Sequence, residues 1–294
     1  MKDYAIIAHA YDQTVRIYAS HTTQLVEKAR SIHQTWPTAS AALGRFLTVS
    51  AMMGLMYKDD ERLTLRIKGD GPIGQMTVEA NTLGEVRGEI SNPNVYITYE
   101  DGPKKDKLNV GAAVGRGFLH ITKDLNMKDY FTSSSDLQTG EIADDFTYYF
   151  AVSEQTPSSV GLGVLVDTDQ RVIAAGGYIL QLMPYATEQT ILKIETIIKN
   201  ISSVTDMIQQ GLTPEDMIAL LSDGSYHVLA KKPLAYHCPC HKDGFIRSLS
   251  ALDDETLDLL IHEDEKADIQ CHFCHKTYHF SKQELLQIKE DRKK

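Results

Sequence analysis

The sequence predicts an α+β protein in three parts: a strand-rich N-terminal domain with packed helices over residues 1–183, a helical linker over 184–235, and a small C-terminal domain over 236–294. Three observations lead there. Apolar and polar residues alternate in the first part, as where Leu63, Leu65 and Ile67 interleave with Thr64, Arg66 and Lys68, the mark of a half-buried strand. From Pro184 onward the period becomes helical, with Ile191, Ile194, Ile198 and Ile201 along one side. All four cysteines then fall between residues 238 and 274, in a segment too short to be stable on its own core.

Residues 4–9 and 14–19 flank Tyr11-Asp12-Gln13 and read as a hairpin. A helix is expected over 23–34, with Leu25, Ala29 and Ile32 on one face, and a second over 38–57, where Gly44 and Gly54 permit close backbone approach. Gly69-Asp70-Gly71-Pro72 turns the chain toward strands at 75–79 and 86–90, and further strands are expected at 146–152, 160–166 and 172–182. Short turns favour antiparallel pairing, and the irregular mixture of helices and strands points to α+β. In the linker, Thr213-Pro214-Glu215-Asp216 is a helix start with a capping threonine, proline at the first position and acids in the first turn. Met217, Leu220 and Leu221 give that helix an apolar face, and Pro233 marks its far boundary. Amphipathic helices of this kind ordinarily pack against a neighbouring domain.

A chain of 294 residues buries a sizeable core without covalent staples. Its net charge of -10 favours solubility and disfavours non-specific binding to nucleic acid or anionic lipid. No apolar run follows Lys2, and Asp3 and His9 interrupt what apolar character there is, so no secretory signal is read. The most apolar stretches, 51–57 and 160–166, are too short to span a bilayer. A cytoplasmic protein without a membrane partner is expected.

The cysteines stand as Cys238-Pro239-Cys240 and Cys271-His272-Phe273-Cys274, thirty residues apart. Two close thiol pairs brought together by a folded loop make a tetrahedral set that suits one zinc ion. Lys242, Arg247 and Lys276 would offset the surplus negative charge. His237, His241, His272, His275 and His279 lie near enough to compete, which leaves a mixed site open, although four cysteines already complete the tetrahedron. In a reducing compartment such a cluster reads as metal-binding or redox-active rather than as a disulfide framework. A Cys238–Cys240 disulfide would close a very small ring and be easily reduced, which suits a reversible switch. Loss of the metal would remove roughly 10–16 kcal/mol of binding free energy, enough to unfold a small metallo-domain.

Two other readings compete. A nucleic-acid-binding zinc ribbon needs positive charge, yet residues 241–270 carry nine acids and three Lys/Arg, a net of -6. A thiol-disulfide oxidoreductase would use Cys-x-x-Cys at a strand-to-helix turn, which this pair does not follow. His262-Glu263-Asp264-Glu265-Lys266 lacks the second histidine of a metalloprotease helix. Gly111, Gly115 and Gly117 lack the following Gly-Lys-Ser/Thr of a phosphate loop and read as turn residues. No Gly-x-Ser-x-Gly elbow occurs, and Asn200-Ile201-Ser202 is a sequon without meaning in a cytoplasmic helix.

The sequence also resembles the heat shock protein 33 family, the 33-kilodalton chaperonins, over essentially its whole length. The resemblance is carried by residues 36–45 (Trp36 and Pro37 through Gly44 and Arg45), Gly71-Pro72-Ile73-Gly74, residues 153–158 (Ser153, Glu154, Gln155, Thr156, Pro157, Ser158), residues 175–181 (Ala175, Gly176, Gly177 through Gln181) and both cysteine pairs. It implies an ATP-independent holdase with no catalytic residues, idle when reduced and zinc-bound, rather than an enzyme. Oxidation would form Cys238–Cys240 and Cys271–Cys274 disulfides, release zinc and unfold the C-terminal domain. The linker would then become labile, exposing Ile191, Ile194, Ile198 and Ile201 to unfolding client proteins under oxidative and heat stress. Members of the family also tend to dimerise when active.

Overall fold

Strand β1 (Tyr4–Ala10) turns through Tyr11, Asp12 and Gln13, all at positive φ, into β2 (Val15–His21). Helices α1 (Thr23–His33) and α2 (Pro37–Gly54) follow, then strands β3 (Arg62–Gly69), β4 (Gln75–Asn81) and β5 (Glu85–Ile90). A short helix α3 (Val110–Val114), β6 (Gly117–Asp124), β7 (Phe131–Asp136), α4 (Ala143–Val152), β8 (Ser158–Val166) and β9 (Val172–Leu182) complete the part before residue 184. Beyond it come α5 (Glu188–Asn200), α6 (Val204–Gln209), α7 (Pro214–Leu221), β10 (Tyr226–Pro233) and β11 (Ala235–Tyr236). The last elements are α8 (Lys242–Ser250), α9 (Asp254–His262), β12 (Lys266–Gln270), β13 (Thr277–Ser281) and α10 (Lys282–Asp291). This computed structural model describes residues 2–292. Contacts divide the chain into two units, Met1–His237 and Cys238–Lys294.

The first unit holds two sheets, ordered β10-β1-β2-β9-β8 and β11-β5-β4-β3-β6-β7. Helix α2 is buried all round, as its Ala, Ser, Gly and Met content allows. It packs on strands of both sheets and centres the main core with Phe46, Leu47, Met52 and Met53. Its glycines are used for contact. A Cβ on Gly44 would stand 2.5 Å from Val26 Cγ1 on α1, and one on Gly54 would stand 2.5 Å from the Asn81 carbonyl oxygen.

The region from residue 184 to His237 belongs to the first unit, and its helices cover the other face of the first sheet. Ile194, Val204, Met207, Met217, Ile218 and Leu221 pack with Ile6, Ala8, Ala10, Ile17, Ala19 and Leu180 in a second cluster. Thr213 caps α7 as expected, with its hydroxyl accepting from the Asp216 N–H and Asp216 accepting from the Thr213 N–H. The helix ends at Leu221, however, and not near Pro233; residues up to Pro233 form β10, an edge strand on β1. Glu215 fastens these elements by accepting from the Tyr4 hydroxyl at 2.6 Å and from Lys231 at 2.9 Å.

Residues 146–152, expected as a strand, are helix α4. Phe146, Tyr149 and Phe150 are buried at helical spacing, and their aromatic content suggested a strand only because helical and extended periods are hard to tell apart over a few residues. Of the three glycines expected in turns, Gly115 caps α3 at φ 77°, while Gly111 is helical and Gly117 opens β6. The residue that fixes α4 is Asp145, which is fully buried. Its carboxylate accepts from the backbone N–H of Gln138 at 2.7 Å, Thr139 at 3.0 Å, Gly140 at 3.2 Å and Ile142 at 2.9 Å. Ile142 is thereby held at φ 71°, a strained conformation for a β-branched residue.

Asp145→Ala would strand four inward-facing donors at once. Urea unfolding followed by far-ultraviolet circular dichroism should show the first unit destabilised by about 3 kcal/mol or more, and Asp145→Asn should lose less. A loss within 0.5 kcal/mol, the ordinary range for a surface change, would show that water replaces the carboxylate.

Candidate metal centre

The C-terminal unit has its own small core of Leu249, Leu257, Ile261, Ala267, Phe280, Leu285 and Ile288. The hairpin of β12 and β13 closes at the pair Gln270–Thr277, and Cys271 to Lys276 form its tip. Two backbone bonds shape that tip, from the Cys271 N–H to the Lys276 carbonyl at 3.0 Å and from the His275 N–H to the Cys271 carbonyl at 2.8 Å. His275 takes a left-handed conformation with φ 57°. Both sulfurs of this motif therefore project from one tight knuckle. The other pair lies between β11 and α8, where His241 caps α8 by accepting from the Gly244 N–H at 3.2 Å.

The four Sγ atoms come together within 4.8 Å of one another, and all are free thiols. Cys238 Sγ is 3.7 Å from Cys271 Sγ, and Cys240 Sγ is 3.3 Å from Cys274 Sγ. A tetrahedral ion with metal–sulfur bonds of about 2.3 Å separates its ligands by about 3.8 Å, so the spacing and the donor chemistry both fit a thiolate-preferring ion such as zinc. Both of these approaches run across the two motifs. Among the described residues no histidine joins this group. His241 is occupied as a cap, and His279 pairs with Asp268 at 2.7 Å.

Tyr278, not singled out from the sequence, completes the site. Its hydroxyl lies 2.8 Å from the Cys240 carbonyl oxygen and 3.3 Å from Cys240 Sγ, and its ring packs 4.9 Å from that of Phe245. Its signal was the alternation Thr277-Tyr278-His279-Phe280 just after the second pair, which turns Tyr278 and Phe280 inward. Burial raises the Cys240 thiol, but hydrogen bonds from Tyr278 and the neighbouring sulfurs outweigh it and bring it down to about 7. Burial pushes Cys271 up and holds Cys274 at about 12. The hydrogen bond to Cys240 takes Tyr278 itself to about 12. Negative charge on one of these sulfurs disfavours it on its neighbours, so a full set of thiolates calls for a cation among them.

Of the isoleucines expected to meet clients, Ile194 is buried in the second cluster, Ile198 and Ile201 are partly buried against it, and Ile191 is half-buried outside it. Sequence reasoning did not identify the face they cover, formed by Ile6, Ala8, Ile17 and Leu180. Its trace was the run Ala5-Ile6-Ile7-Ala8, which makes β1 apolar on both sides and demands two covers. No helix among the described residues is long and apolar enough to cross a membrane.

Comparison with known proteins gives a consistent result. A family model described as Hsp33 protein matches residues 3–281. The 33 kDa chaperonin of Acholeplasma laidlawii is 58% identical over 288 residues, covering 98% of this chain and 99% of its own. That of Geobacillus kaustophilus is 48% identical over the full length of both chains. The crystal structure of the 33 kDa chaperonin of Thermotoga maritima superposes with a TM-score of 0.90 at 32% identity, covering 99% of this chain and 98% of that one.

Removing the Tyr278 hydroxyl should loosen the site while its ring stays packed. In Tyr278→Phe the Cys240 pKa should rise above about 7, because the donor that stabilises the thiolate is gone. Zinc affinity in a chelator competition should fall roughly tenfold at neutral pH. Unchanged affinity would mean that the hydroxyl serves only the Cys240 carbonyl.

Proposed function

The chain belongs to the Hsp33 family, and from that premise we propose how its four cysteines govern its work as a redox-regulated chaperone. The observation that carries the reading is the gathering of those thiols within 4.8 Å on a small unit of the chain. Cys238, Cys240, Cys271 and Cys274 would hold one zinc ion per chain, which when bound keeps the thiolates deprotonated and adds roughly 10–16 kcal/mol to the folding of this unit.

An oxidant such as peroxide takes two electrons from each thiol pair. Two thiols lose two protons and gain a sulfur–sulfur bond, and the peroxide leaves as two waters. A pair joined in this way no longer offers thiolates to a metal. The proposed pairs are Cys238–Cys240 and Cys271–Cys274. Once the unit loosens, thiols near in sequence meet far more often than thiols thirty residues apart. The close approaches of Cys238 to Cys271 and of Cys240 to Cys274 favour the crossed pairing if oxidation outruns unfolding. Peptide mapping by mass spectrometry distinguishes the two.

The consequence for clients follows the chain backwards from Cys238. Strand β11 is seated on β5 by bonds from the Ala235 N–H to the Gly84 carbonyl and from the His237 N–H to the Val86 carbonyl, and Leu234 is buried in the main core. Loss of the C-terminal fold frees the chain end that holds this anchor. Residues 184–235 would then leave the first sheet as a metastable linker. Helix α5 is suited to this, since Ile194 is its one buried residue among thirteen; a helix of that length is marginal without packing. Release uncovers Ile194, Ile198 and Ile201 together with the sheet face beneath them, and Ile191 extends that surface. Unfolding polypeptides would bind there without ATP, in the cytoplasm, with the oxidised chain forming a homodimer. The acidic C-terminal unit takes no nucleic acid in this reading.

Metal analysis of reduced protein should return one equivalent of zinc, and a Cys238→Ser, Cys271→Ser double variant should lose it. Zinc retained in full by that variant would move the ligands elsewhere.

Peroxide-treated protein should suppress aggregation of a denatured client, reduced protein should not, and reductant should reverse the effect. In hydrogen exchange, protection should fall first in 238–292 and then in 184–235 on mild warming, with the strands before residue 184 still protected except for the β1 amides that pair with β10. Suppression of aggregation with 184–235 as protected as before would break the proposed coupling.

A further inference from the structure

Resting on the linker release proposed above, we infer that oxidation also opens the hydrogen-bonding edge of β1, and that this edge takes an extended apolar segment of a client by antiparallel strand addition. In the folded chain the edge is occupied. Strand β10 pairs with β1 along its whole length, from Tyr4 opposite Pro233 to Ala10 opposite Tyr226. Strand β10 also leads directly into β11, the last element before Cys238, so it lies first in the path of release.

Side chains contribute little to seating β10. Only Tyr226 and Ala230 are half-buried and the rest are exposed; Tyr226 packs at the margin of the second cluster, and Lys231 reaches back over the Tyr4 ring at 3.8 Å and to Glu215. The strand is held by its main chain, and main-chain pairing accepts almost any sequence. That is the property a chaperone needs in an acceptor for unrelated clients.

The two strands are also protected differently. Strand β10, an edge in the folded chain, carries Lys231, Lys232 and Pro233, and a bulge leaves Leu229 without a partner between Ala230 and Val228. Such features stop an edge from pairing with other chains. Strand β1, Tyr4-Ala5-Ile6-Ile7-Ala8-His9-Ala10, has no Lys, Arg, Asp, Glu or Pro. Laid open, it is an uncharged apolar template of the kind that recruits strands. Strand β5, uncovered when β11 leaves, is guarded by Glu85, Arg87 and Glu89. Ile6, Ala8 and Ala10 also belong to the face that α5–α7 cover. A segment added to β1 would therefore lay alternate side chains on that same apolar face.

The test uses oxidised full-length chain and two synthetic peptides of one alternating Val-Thr sequence, the second N-methylated at its central amides. The unmodified peptide should compete with a denatured client at a roughly tenfold lower concentration, as the loss of one or two backbone hydrogen bonds implies. It should also slow hydrogen exchange at residues 4–10. Equal competition by both peptides, with aggregation still suppressed, would overturn strand addition and leave the chaperone reading intact. Failure of the oxidised chain to suppress aggregation would overturn both. Protection of residues 4–10 that grows with chain concentration and needs no peptide would overturn the client as occupant in favour of a second copy of the chain.

Discussion

The first sheet has two apolar faces, and each must be covered if the strands are to stay out of water. Helix α2 covers one as part of the main core, and among the described residues no element before residue 184 covers the other. That task falls to α5, α6 and α7, which lie between the sheet strands and the cysteine unit in the chain. Burial does most of the holding. Lys193 and Asp223 pair at 2.7 Å, but both are about half-exposed, and pairs of that kind contribute about 1 kcal/mol or less. Covering an indispensable face with a late and lightly anchored segment makes the exposure of that face conditional on the segment staying folded.

In the coupling proposed above, that condition is set by electrostatics in the C-terminal unit. Four sulfurs this close repel one another's negative charge, which a cation among them would offset. The apolar core there consists of a handful of side chains, a small reserve for a unit of this length. Such a unit depends on whatever satisfies its thiols. Covalent pairing of those thiols relieves their repulsion but removes the stabilisation that a bound cation brings, and for a core this small the second change is the larger.

The parts legible in the sequence are those whose signal is local. Cysteine spacing, the Thr213 cap and the alternation through Leu63 to Ile67 each declare themselves within a few residues. Which thiols approach one another did not, because it depends on how the knuckle of Cys271 to Cys274 meets a pair thirty residues away. Helix α4 was missed because its stop and start are written in tertiary contacts: Asp145 collects donors from the loop before it, and propensity alone favours extended aromatics. Strand β10 was missed because an exposed edge strand has no apolar alternation to read. Between residues 101 and 136, α3 is too short to show a period and β7 is largely exposed, so both were silent.

The two clusters of the first unit explain how one part can let go while the rest endures. Apart from Leu234 and Tyr236 at its margin, the main core draws on residues before 184, with Phe46, Phe146, Tyr149 and Phe150 packed among strands of both sheets. None of its large aromatic residues depends on α5, α6 or α7. The second cluster, by contrast, is shared between the sheet and those three helices, so it vanishes as a unit when they leave. Strands β1, β2 and β9 keep their pairing to one another, β2 and β9 their packing on α2, and β9 its packing on α1. The proposed release would therefore leave a folded platform with one bare face, and a rigid apolar surface binds at a smaller entropic cost than a collapsing one.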